Sequence, residues 1–169
     1  MDTKRKVVTK DELAGIVADL KKQGKKIVTT NGAFDILHIG HKRMLEVSKA
    51  LGDILIVGVN SDSSVKQYKS DLRPVIPEAD RAEMLAGLAC VDYVTIFAEP
   101  DPKNFLELVK PNVHTKSGDY TAEGLKETPT VRKNGGEVVI IPYVESKSTT
   151  NIINKIKTLI PQKTHKRSE

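Results

Sequence analysis

Apolar positions along the chain recur with two alternating periods, one typical of strands and the other typical of helices. Residues 53–60 form an almost unbroken apolar run, which indicates a strand buried on both faces, as the strands of parallel sheets are. Shorter apolar or β-branched runs predict four further strands, at 26–30, 91–97, 113–116 and 137–142. Helical spacing between these runs predicts helices over 9–22, 40–51, 61–68, 78–88, 102–109 and 149–160.

Local signals mark where several of these elements begin and end. Thr9 is followed three residues later by Glu12, which is the spacing of a capping box at a helix start. Gly24 is expected to end the first helix, and Asn31-Gly32 to break the first strand.

Because strands and helices alternate, we predict an α/β fold with a doubly wound, parallel five-stranded sheet flanked by helices. Ligands of such folds bind outside the carboxyl ends of the strands. The site should therefore form from the segments that follow strands, at 31–41, 60–69, 117–120 and 145–150.

Length and composition predict the number of domains and the cellular compartment. The 169 residues, 38% of them apolar and 29% charged, fit one globular domain over residues 1–160 that includes the N-terminal helix. Residues 161–169 are polar and basic, and we expect a disordered tail there. The chain has no apolar run of 18 or more residues, no signal-peptide pattern and a single cysteine, Cys90. We therefore expect a cytoplasmic protein with no membrane partner.

The net charge of +5 is concentrated at the two ends of the chain. Residues 1–30 carry eight Lys and Arg against four Asp and Glu, and residues 155–169 carry five against one, whereas residues 31–154 carry 14 against 17. Nucleic-acid binders more often present a basic stripe with aromatic side chains, and aromatic residues are only 4% of this chain. We therefore expect no nucleic-acid partner.

The segment after the first predicted strand carries the most specific chemical pattern. It reads NGAFDILHIGH over residues 31–41 and leads into a helix. Small residues after a strand let a ligand approach the backbone, and a helix N-terminus attracts phosphate. His38 and His41 add directional donors there, with Gly40 leaving room for an oxygen between them. The structural alternative is that His38 only caps the helix and His41 lies on its surface.

This segment resembles the HxGH motif of the cytidylyltransferase-like nucleotidyltransferases, and Ser148-Thr149-Thr150 resembles their second, ISTT-type motif. Over residues 5–157 the chain is similar to the branch of stand-alone D-glycero-D-manno-heptose 1-phosphate adenylyltransferases. The similarity includes GVNSD at 58–62, KSGDY at 116–120 and GGEV at 135–138. It implies a Rossmann-like fold of the HUP/nucleotidyltransferase type. It also implies transfer of AMP from ATP to heptose 1-phosphate, with release of pyrophosphate and formation of ADP-heptose for cell-surface glycans such as lipopolysaccharide.

The resemblance also implies roles for individual residues. His38 and His41 are expected to donate to phosphate oxygens as charge builds. Lys69 is expected to bridge the α-phosphate and the incoming phosphate, unless it is a solvated loop lysine. Ser148 and Thr149 would bond the β- and γ-phosphates, cap the last helix, or do both. The expected nucleotide-binding residues are Asn31, Gly32, Ala33, Phe34, Gly40, Lys116, Gly118, Asp119, Lys147, Ser148 and Thr149.

Asp35 and Arg81 are the candidate substrate-binding residues. Asp35 either orients the substrate or the metal shell, or bonds its own backbone in the turn. Arg81 either reaches the substrate phosphate or pairs with Asp80 or Glu78 on a surface helix. We expect Mg²⁺ to neutralise the triphosphate, with no dedicated metal cage in the chain. Homodimers are common in the family, although no sequence feature here fixes the oligomeric state.

The chain departs from the heptose branch at several positions, so more than one pair of nucleotide and acceptor remains open. Ser117 replaces the first of two glycines, His114 stands where an aliphatic residue is usual, and Lys147 stands where Arg is common. One alternative is transfer to another phosphorylated acceptor, such as glycerol 3-phosphate with CTP or FMN with ATP. A second alternative, of a different class, is a nucleotide-binding regulatory module without turnover.

Overall fold

The computed structural model describes residues 2–142 and 148–159. The strands in these residues form a five-stranded parallel sheet in the order β3-β2-β1-β4-β5. The strand order reverses between β1 and β4, which is therefore the switch point where ligands of doubly wound folds bind. The predicted parallel sheet is confirmed. Its strands are β1 (Ile27–Gly32), β2 (Ile54–Asn60), β3 (Tyr93–Phe97), β4 (Val113–Ser117) and β5 (Glu137–Ile141).

Helices connect the strands and cover both faces of the sheet. Short 3-10 helices span Thr3–Lys6 and Ala122–Gly124. In the part of the chain that the structure describes, no helix has the length and apolar character needed to cross a bilayer. The α-helices are α1 (Lys10–Lys22), α2 (Ile39–Lys49), α3 (Asp62–Tyr68), α4 (Glu78–Ala86), α5 (Lys103–Val109), α6 (Thr128–Lys133) and α7 (Thr149–Leu159).

Two apolar layers hold the helices against the sheet, one on each face. Neighbouring residues of a strand point to opposite faces, so Ile27 and Ile56 pack with α1 and α5, whereas Val28 and Leu55 pack with α2 and α4. Burial of both faces explains why residues 53–60 read as a continuous apolar run. The capping box predicted at the start of α1 is also confirmed.

The first strand is longer than predicted. Asn31 and Gly32 do not break it, because they continue the parallel register of β1 opposite Gly58 and Val59 of β2. The turn tendency of Asn31-Gly32 is outweighed here by pairing with β2. As a result Asn31 and Gly32 lie at the carboxyl edge of the sheet, where the site forms.

The connection from β4 to β5 contains α6, a helix that was not predicted from the sequence. Three signals were present: Pro129 near its start, the core residue Val131, and Gly135 just past its end with a φ of 81°. The helix is only six residues long, too short to show a clear apolar period. Lys147 and the predicted tail at 161–169 lie outside the described residues.

Candidate active site

A cleft of about 310 Å³ opens at the carboxyl ends of β1 and β4. Most of the predicted site residues line it, together with Thr30, Met44, Tyr68, Ser117 and Tyr120. The predicted residues in the lining are Asn31, Gly32, Ala33, Phe34, Asp35, His38, Gly40, His41, Lys69, Lys116 and Thr149. Four others are not part of the lining: Arg81, Gly118, Asp119 and Ser148.

The two histidines of the HxGH motif stack on each other at the start of α2. Their ring centroids are 3.8 Å apart with an angle of 24° between the planes, and Phe34 packs against His41 at 5.4 Å. Gly40 N donates to His38 Nδ1 at 3.1 Å, and His38 N donates to His41 Nδ1 at 3.4 Å. The two rings therefore cap the helix reciprocally, as the side chains of a capping box do.

These two bonds determine which ring nitrogen carries the proton. A nitrogen that accepts a hydrogen bond is unprotonated, so each neutral ring has its proton on Nε2. Burial lowers the pKa of His38. Burial, helped by the charges of His38 and Lys69 and opposed by Asp35, lowers the pKa of His41 to about 4. Both rings are therefore neutral at pH 7 and carry Nε2–H donors in the cleft lining.

The structural alternative for the histidines is right in one respect and wrong in another. His38 does cap α2, as that alternative required, but it lines the cleft at the same time. His41 is half-buried rather than on the helix surface, since Phe34 covers one side of its ring.

Asp35 fastens the β1–α2 loop to the connection between α3 and α4. Its buried carboxylate accepts from Arg73 Nε at 2.6 Å and from the backbone N–H groups of Val75 and Ile76 at 3.0 and 2.9 Å. Burial raises the pKa of this carboxyl, but the two backbone donors and the Arg73 guanidinium outweigh burial and lower the pKa. The alternative in which Asp35 bonds its own turn is wrong, because its partners lie in a distant loop. Its contact with substrate stays a prediction.

The same loop contains two left-handed residues that are not glycine. Phe34 and Ile36 have φ angles of 49° and 55°. Such conformations cost on the order of 1–3 kcal/mol each, and β-branched Ile36 is especially disfavoured there. The bonds made by Asp35, which lies between them, offset this strain. The loop is therefore fixed by long-range contacts and not by its own sequence.

Arg81 is buried inside the fold, which corrects both expectations for it. Its side chain has 0% exposure, and Nη2 donates to Asn60 O at 2.8 Å and to Asp62 Oδ1 at 2.7 Å. Nε donates to Ile76 O at 2.9 Å, and Nη1 donates to Ala33 O. With these donors engaged, the guanidinium is not placed to bind a substrate phosphate, and its carboxylate partner comes from α3 and not from its own helix. Arg81 joins the ends of β1 and β2 instead.

Lys69 follows α3 and lines the cleft beside the histidines. Burial lowers the pKa of its ammonium, the Arg73 charge lowers it further, and Asp35 opposes both. Its charge also contributes to the low pKa of His41. Lys69 is exposed, as a solvated loop lysine would be, and it also lines the cleft, so its bridging role stays a prediction.

The second motif supplies one cleft residue and one helix cap. Thr149 lines the cleft, and its Oγ1 donates to Asp35 O at 2.7 Å, which ties the start of α7 to the β1–α2 loop. Ser148 Oγ accepts from Asn151 N at 3.1 Å, so Ser148 caps α7. The capping alternative therefore holds for Ser148. Phosphate binding by either residue stays a prediction.

Lys116 lies on the opposite wall of the cleft and pairs with Glu127, which was not predicted from the sequence. Its Nζ lies 3.1 Å from Glu127 Oε1, and Glu127 is nearly buried, with 8% of its side chain exposed. His114 Nε2 lies 4.0 Å from the same carboxylate oxygen, and Thr29 Oγ1 lies 2.8 Å from His114 Nδ1. Burial, helped by the Lys116 charge, lowers the pKa of His114 to about 3, so this ring is neutral. Glu127 had no periodic or motif signal that could have revealed it.

Gly118 and Asp119 affect the cleft indirectly. Gly118 has a φ of +146°, and a Cβ there would lie 2.7 Å from a ring carbon of Tyr120. Gly118 therefore allows the Tyr120 ring to lie across it and to line the cleft. Asp119 is exposed next to this turn. Nucleotide contact by either residue stays a prediction.

Comparison with known proteins agrees with this geometry. Residues 29–155 match the cytidylyltransferase-like family, and the chain belongs to that family. Among its relatives is the bifunctional protein HldE of Geobacter metallireducens, which is 49% identical over 155 residues, 92% of this chain and 32% of that protein. HldE of Nitratiruptor is 48% identical over 148 residues, 88% of this chain and 31% of that protein. The chain thus spans about a third of the length of these curated relatives.

Two solved structures share the fold. The lipopolysaccharide core biosynthesis protein from Thermoplasma volcanium is 30% identical, with a TM-score of 0.61 over 73% of this chain and 100% of that one. The pantoate-beta-alanine ligase from Francisella tularensis, solved with an ATP form and beta-alanine, has a TM-score of 0.62 at 18% identity, over 89% of this chain and 76% of that one. At that identity the second likeness supports the fold alone.

Proposed function

We propose that this protein is an adenylyltransferase that transfers AMP from ATP to heptose 1-phosphate, giving ADP-heptose and pyrophosphate. The observation that carries the proposal is the pair of neutral, stacked histidines at the start of α2, with both Nδ1 atoms engaged and both Nε2–H donors left for a ligand. The segments shared with the heptose branch, the 49% identity to an HldE protein and the likeness to a lipopolysaccharide core biosynthesis protein support this acceptor over glycerol 3-phosphate or FMN.

The reaction needs no covalent intermediate. A phosphate oxygen of the acceptor attacks the α-phosphorus of ATP, the bond from the α-phosphorus to the bridging oxygen breaks, and pyrophosphate leaves with that oxygen. Catalysis then rests on in-line positioning and on stabilising the added negative charge. His38 and His41 would donate Nε2–H bonds to oxygens of the reacting phosphates. Because their Nδ1 atoms are held by backbone donors, the rings need no reorientation as charge builds.

Cations on either side of the histidines would bring the two anionic substrates together. Lys69 would bridge the α-phosphate and the acceptor phosphate, and Lys116 would contact a phosphate from the opposite wall. The backbone N–H groups at the start of α2, near Gly40, add partial positive charge. Neutral imidazoles are suited to this environment, since a second pair of positive charges here would be unfavourable.

Mg²⁺ is part of the proposal as a companion of the triphosphate. Within residues 2–142 and 148–159, no group of three or more His, Cys, Asp or Glu side chains is arranged to hold a metal ion. Phosphate oxygens are hard ligands that Mg²⁺ prefers, and the bound ion would offset charge on the leaving pyrophosphate. We propose that the protein acts in the cytoplasm, where its nucleotide is made, and that it forms a homodimer as related enzymes do.

Pyrophosphate release tests the proposal. ATP, CTP and GTP are each combined with heptose 1-phosphate, glycerol 3-phosphate and FMN in the presence of Mg²⁺, and pyrophosphate is measured with a coupled assay. Release with ATP and heptose 1-phosphate alone is the expected result. Release with another pair would refute the acceptor, and a folded protein that binds nucleotide without any release would refute catalysis.

A further inference from the structure

A second pocket, here called the side pocket, opens beside the cleft. Its volume is about 430 Å³, within the range of small-ligand sites. It shares one wall with the cleft, and beyond that wall it is bounded by Asn60 at the end of β2, by residues 100–102 before α5 and by residues 124–127. The residues common to both spaces are Asn31, Gly32, Tyr68, Lys116 and Tyr120.

The junction of the two spaces contains features that fit a polyhydroxylated ligand carrying a phosphate. Lys116 supplies a positive charge at the boundary. Asn31 Oδ1 is a buried acceptor that has no hydrogen-bond partner among the described residues. Tyr68 and Tyr120 are 50% and 59% exposed, and such rings can pack against the C–H faces of a sugar.

Glu127 is the buried acid of the side pocket. It lies at the start of α6, yet its carboxylate does not cap that helix. The carboxylate instead contacts the Lys116 ammonium at 3.1 Å, with 8% of the side chain exposed. An ionised carboxylate accepts several hydrogen bonds, and one lysine does not use them all. Sugar hydroxyls are donors that could use the remainder.

His114 lies near the same carboxylate oxygen of Glu127. When the Thr29 hydroxyl donates to His114 Nδ1, the ring proton lies on Nε2 and faces Glu127 Oε1 at 4.0 Å. His114 Nε2 is fully buried and has no hydrogen-bond partner within the described ranges. If Lys116 turns toward a phosphate, this N–H remains close to the Glu127 carboxylate.

We propose that the side pocket binds the sugar of the acceptor and that Glu127 determines its specificity by accepting hydrogen bonds from sugar hydroxyls. The assignment rests on the proposed transfer to a sugar phosphate and adds where the sugar lies. The acceptor phosphate sits at Lys116, at the boundary with the cleft, and the sugar ring extends toward Glu127. Glycerol 3-phosphate would fill only part of this space.

The test compares Glu127→Ala and Glu127→Gln with a matched control, Glu123→Gln, whose carboxylate is exposed and paired with Arg132. Binding of heptose 1-phosphate is measured by calorimetry with a non-hydrolysable ATP analogue present, and KM values are measured by pyrophosphate release. We expect Glu127→Ala to weaken heptose 1-phosphate binding about tenfold or more, Glu127→Gln to weaken it less, and the control to match the wild type. The KM for ATP should stay within about twofold in all variants.

Glycerol 3-phosphate, measured as an inhibitor against heptose 1-phosphate, separates hydroxyl recognition from an indirect effect through Lys116. Equal losses for both ligands, or no loss for either, would overturn the proposal. Wild-type turnover with unchanged heptose 1-phosphate binding in Glu127→Ala would overturn the pocket and leave the proposed reaction standing. Heptose 1-phosphate binding that depends on Glu127 but gives no pyrophosphate release would overturn the proposed reaction and leave the pocket standing. A wild type that neither binds heptose 1-phosphate nor releases pyrophosphate would overturn both proposals.

Discussion

Replacing Asp35 by Asn tests whether the β1–α2 loop is held by a buried charge. Asn keeps the size of the side chain and one acceptor oxygen, but it loses the charge that pairs with Arg73 at 2.6 Å. Hydrogen bonds to charged groups contribute about 1.5–3 kcal/mol each, and removing one partner of a buried ion pair costs about 3–5 kcal/mol. Because the amide can still accept from Val75 or Ile76, we expect a loss of about 2–4 kcal/mol in the free energy of unfolding.

The pH dependence of this loss has a definite sign. The folded-state pKa of Asp35 is lowered, so its contribution is complete above the unfolded pKa of about 3.9 and disappears only as pH falls through the folded value. The difference between wild type and Asp35→Asn should therefore be constant between pH 5 and pH 8. Urea unfolding followed by circular dichroism measures it, since the chain has no Trp to report by fluorescence.

Asp71→Asn is the matched control, because Asp71 is exposed in the same α3–α4 connection. It should change stability by less than about 0.5 kcal/mol. ATP affinity should fall in Asp35→Asn alone, since the left-handed residues Phe34 and Ile36 can then relax and move the HxGH rings. An Asp35→Asn variant as stable as the wild type, or a stability difference that shrinks between pH 8 and pH 5, would refute the proposed role of the Asp35 charge in holding the loop.

Three further predictions concern the histidines and the Tyr120 turn. His41→Ala should lower kcat by more than about tenfold in steady-state assays with little change in circular dichroism, because the donor acts mainly in the transition state, and unchanged turnover would contradict this role. The free energy of unfolding should fall as the pH falls from about 6.5 to about 4, because His41 and His114 have lowered pKa values and take up protons on unfolding. In urea unfolding at several pH values, His114→Leu should reduce this pH dependence by up to about 1.4 kcal/mol per pH unit. An unchanged pH dependence would argue against a neutral His114. Gly118→Ala should weaken ATP binding in calorimetry because its Cβ would displace Tyr120, whereas Gly15→Ala, which meets open space in α1, should leave binding unchanged.

The sequence was sufficient for the sheet because each buried strand carries its own signal. The run at 53–60 is almost unbroken in apolar residues because both of its faces are covered. The capping-box spacing of Thr9 and Glu12 likewise marks the start of α1. The six-residue α6 is too short to show a clear apolar period. The pairing of Asn31 with β2 depends on a partner strand that no local turn rule includes.

Some residues of the site could likewise be predicted from the sequence and others could not. The HxGH segment was found because its residues are adjacent in sequence, and eight of the residues at 31–41 line one cleft. The partners that hold it were not found, since they are distant in the chain: Arg81 donates to a carbonyl 48 residues before it, and Asp35 accepts from an amide 41 residues after it. Such pairs are set by the fold and leave no local pattern. The same holds for Glu127 beside Lys116.

The charges around the cleft indicate how a ligand would be admitted. Among the described residues, Arg73, Arg81 and Lys116 each have a carboxylate partner, whereas Lys69 has no ion pair. A triphosphate can therefore bind Lys69 without breaking an ion pair, whereas an acceptor phosphate that draws Lys116 away from Glu127 breaks one. Because separating a nearly buried pair is costly, Lys116 should be released only when a second group satisfies Glu127. Hydroxyl groups of the acceptor could satisfy Glu127 by donating hydrogen bonds to it. Binding of the correct sugar would then free the Lys116 ammonium to contact a phosphate.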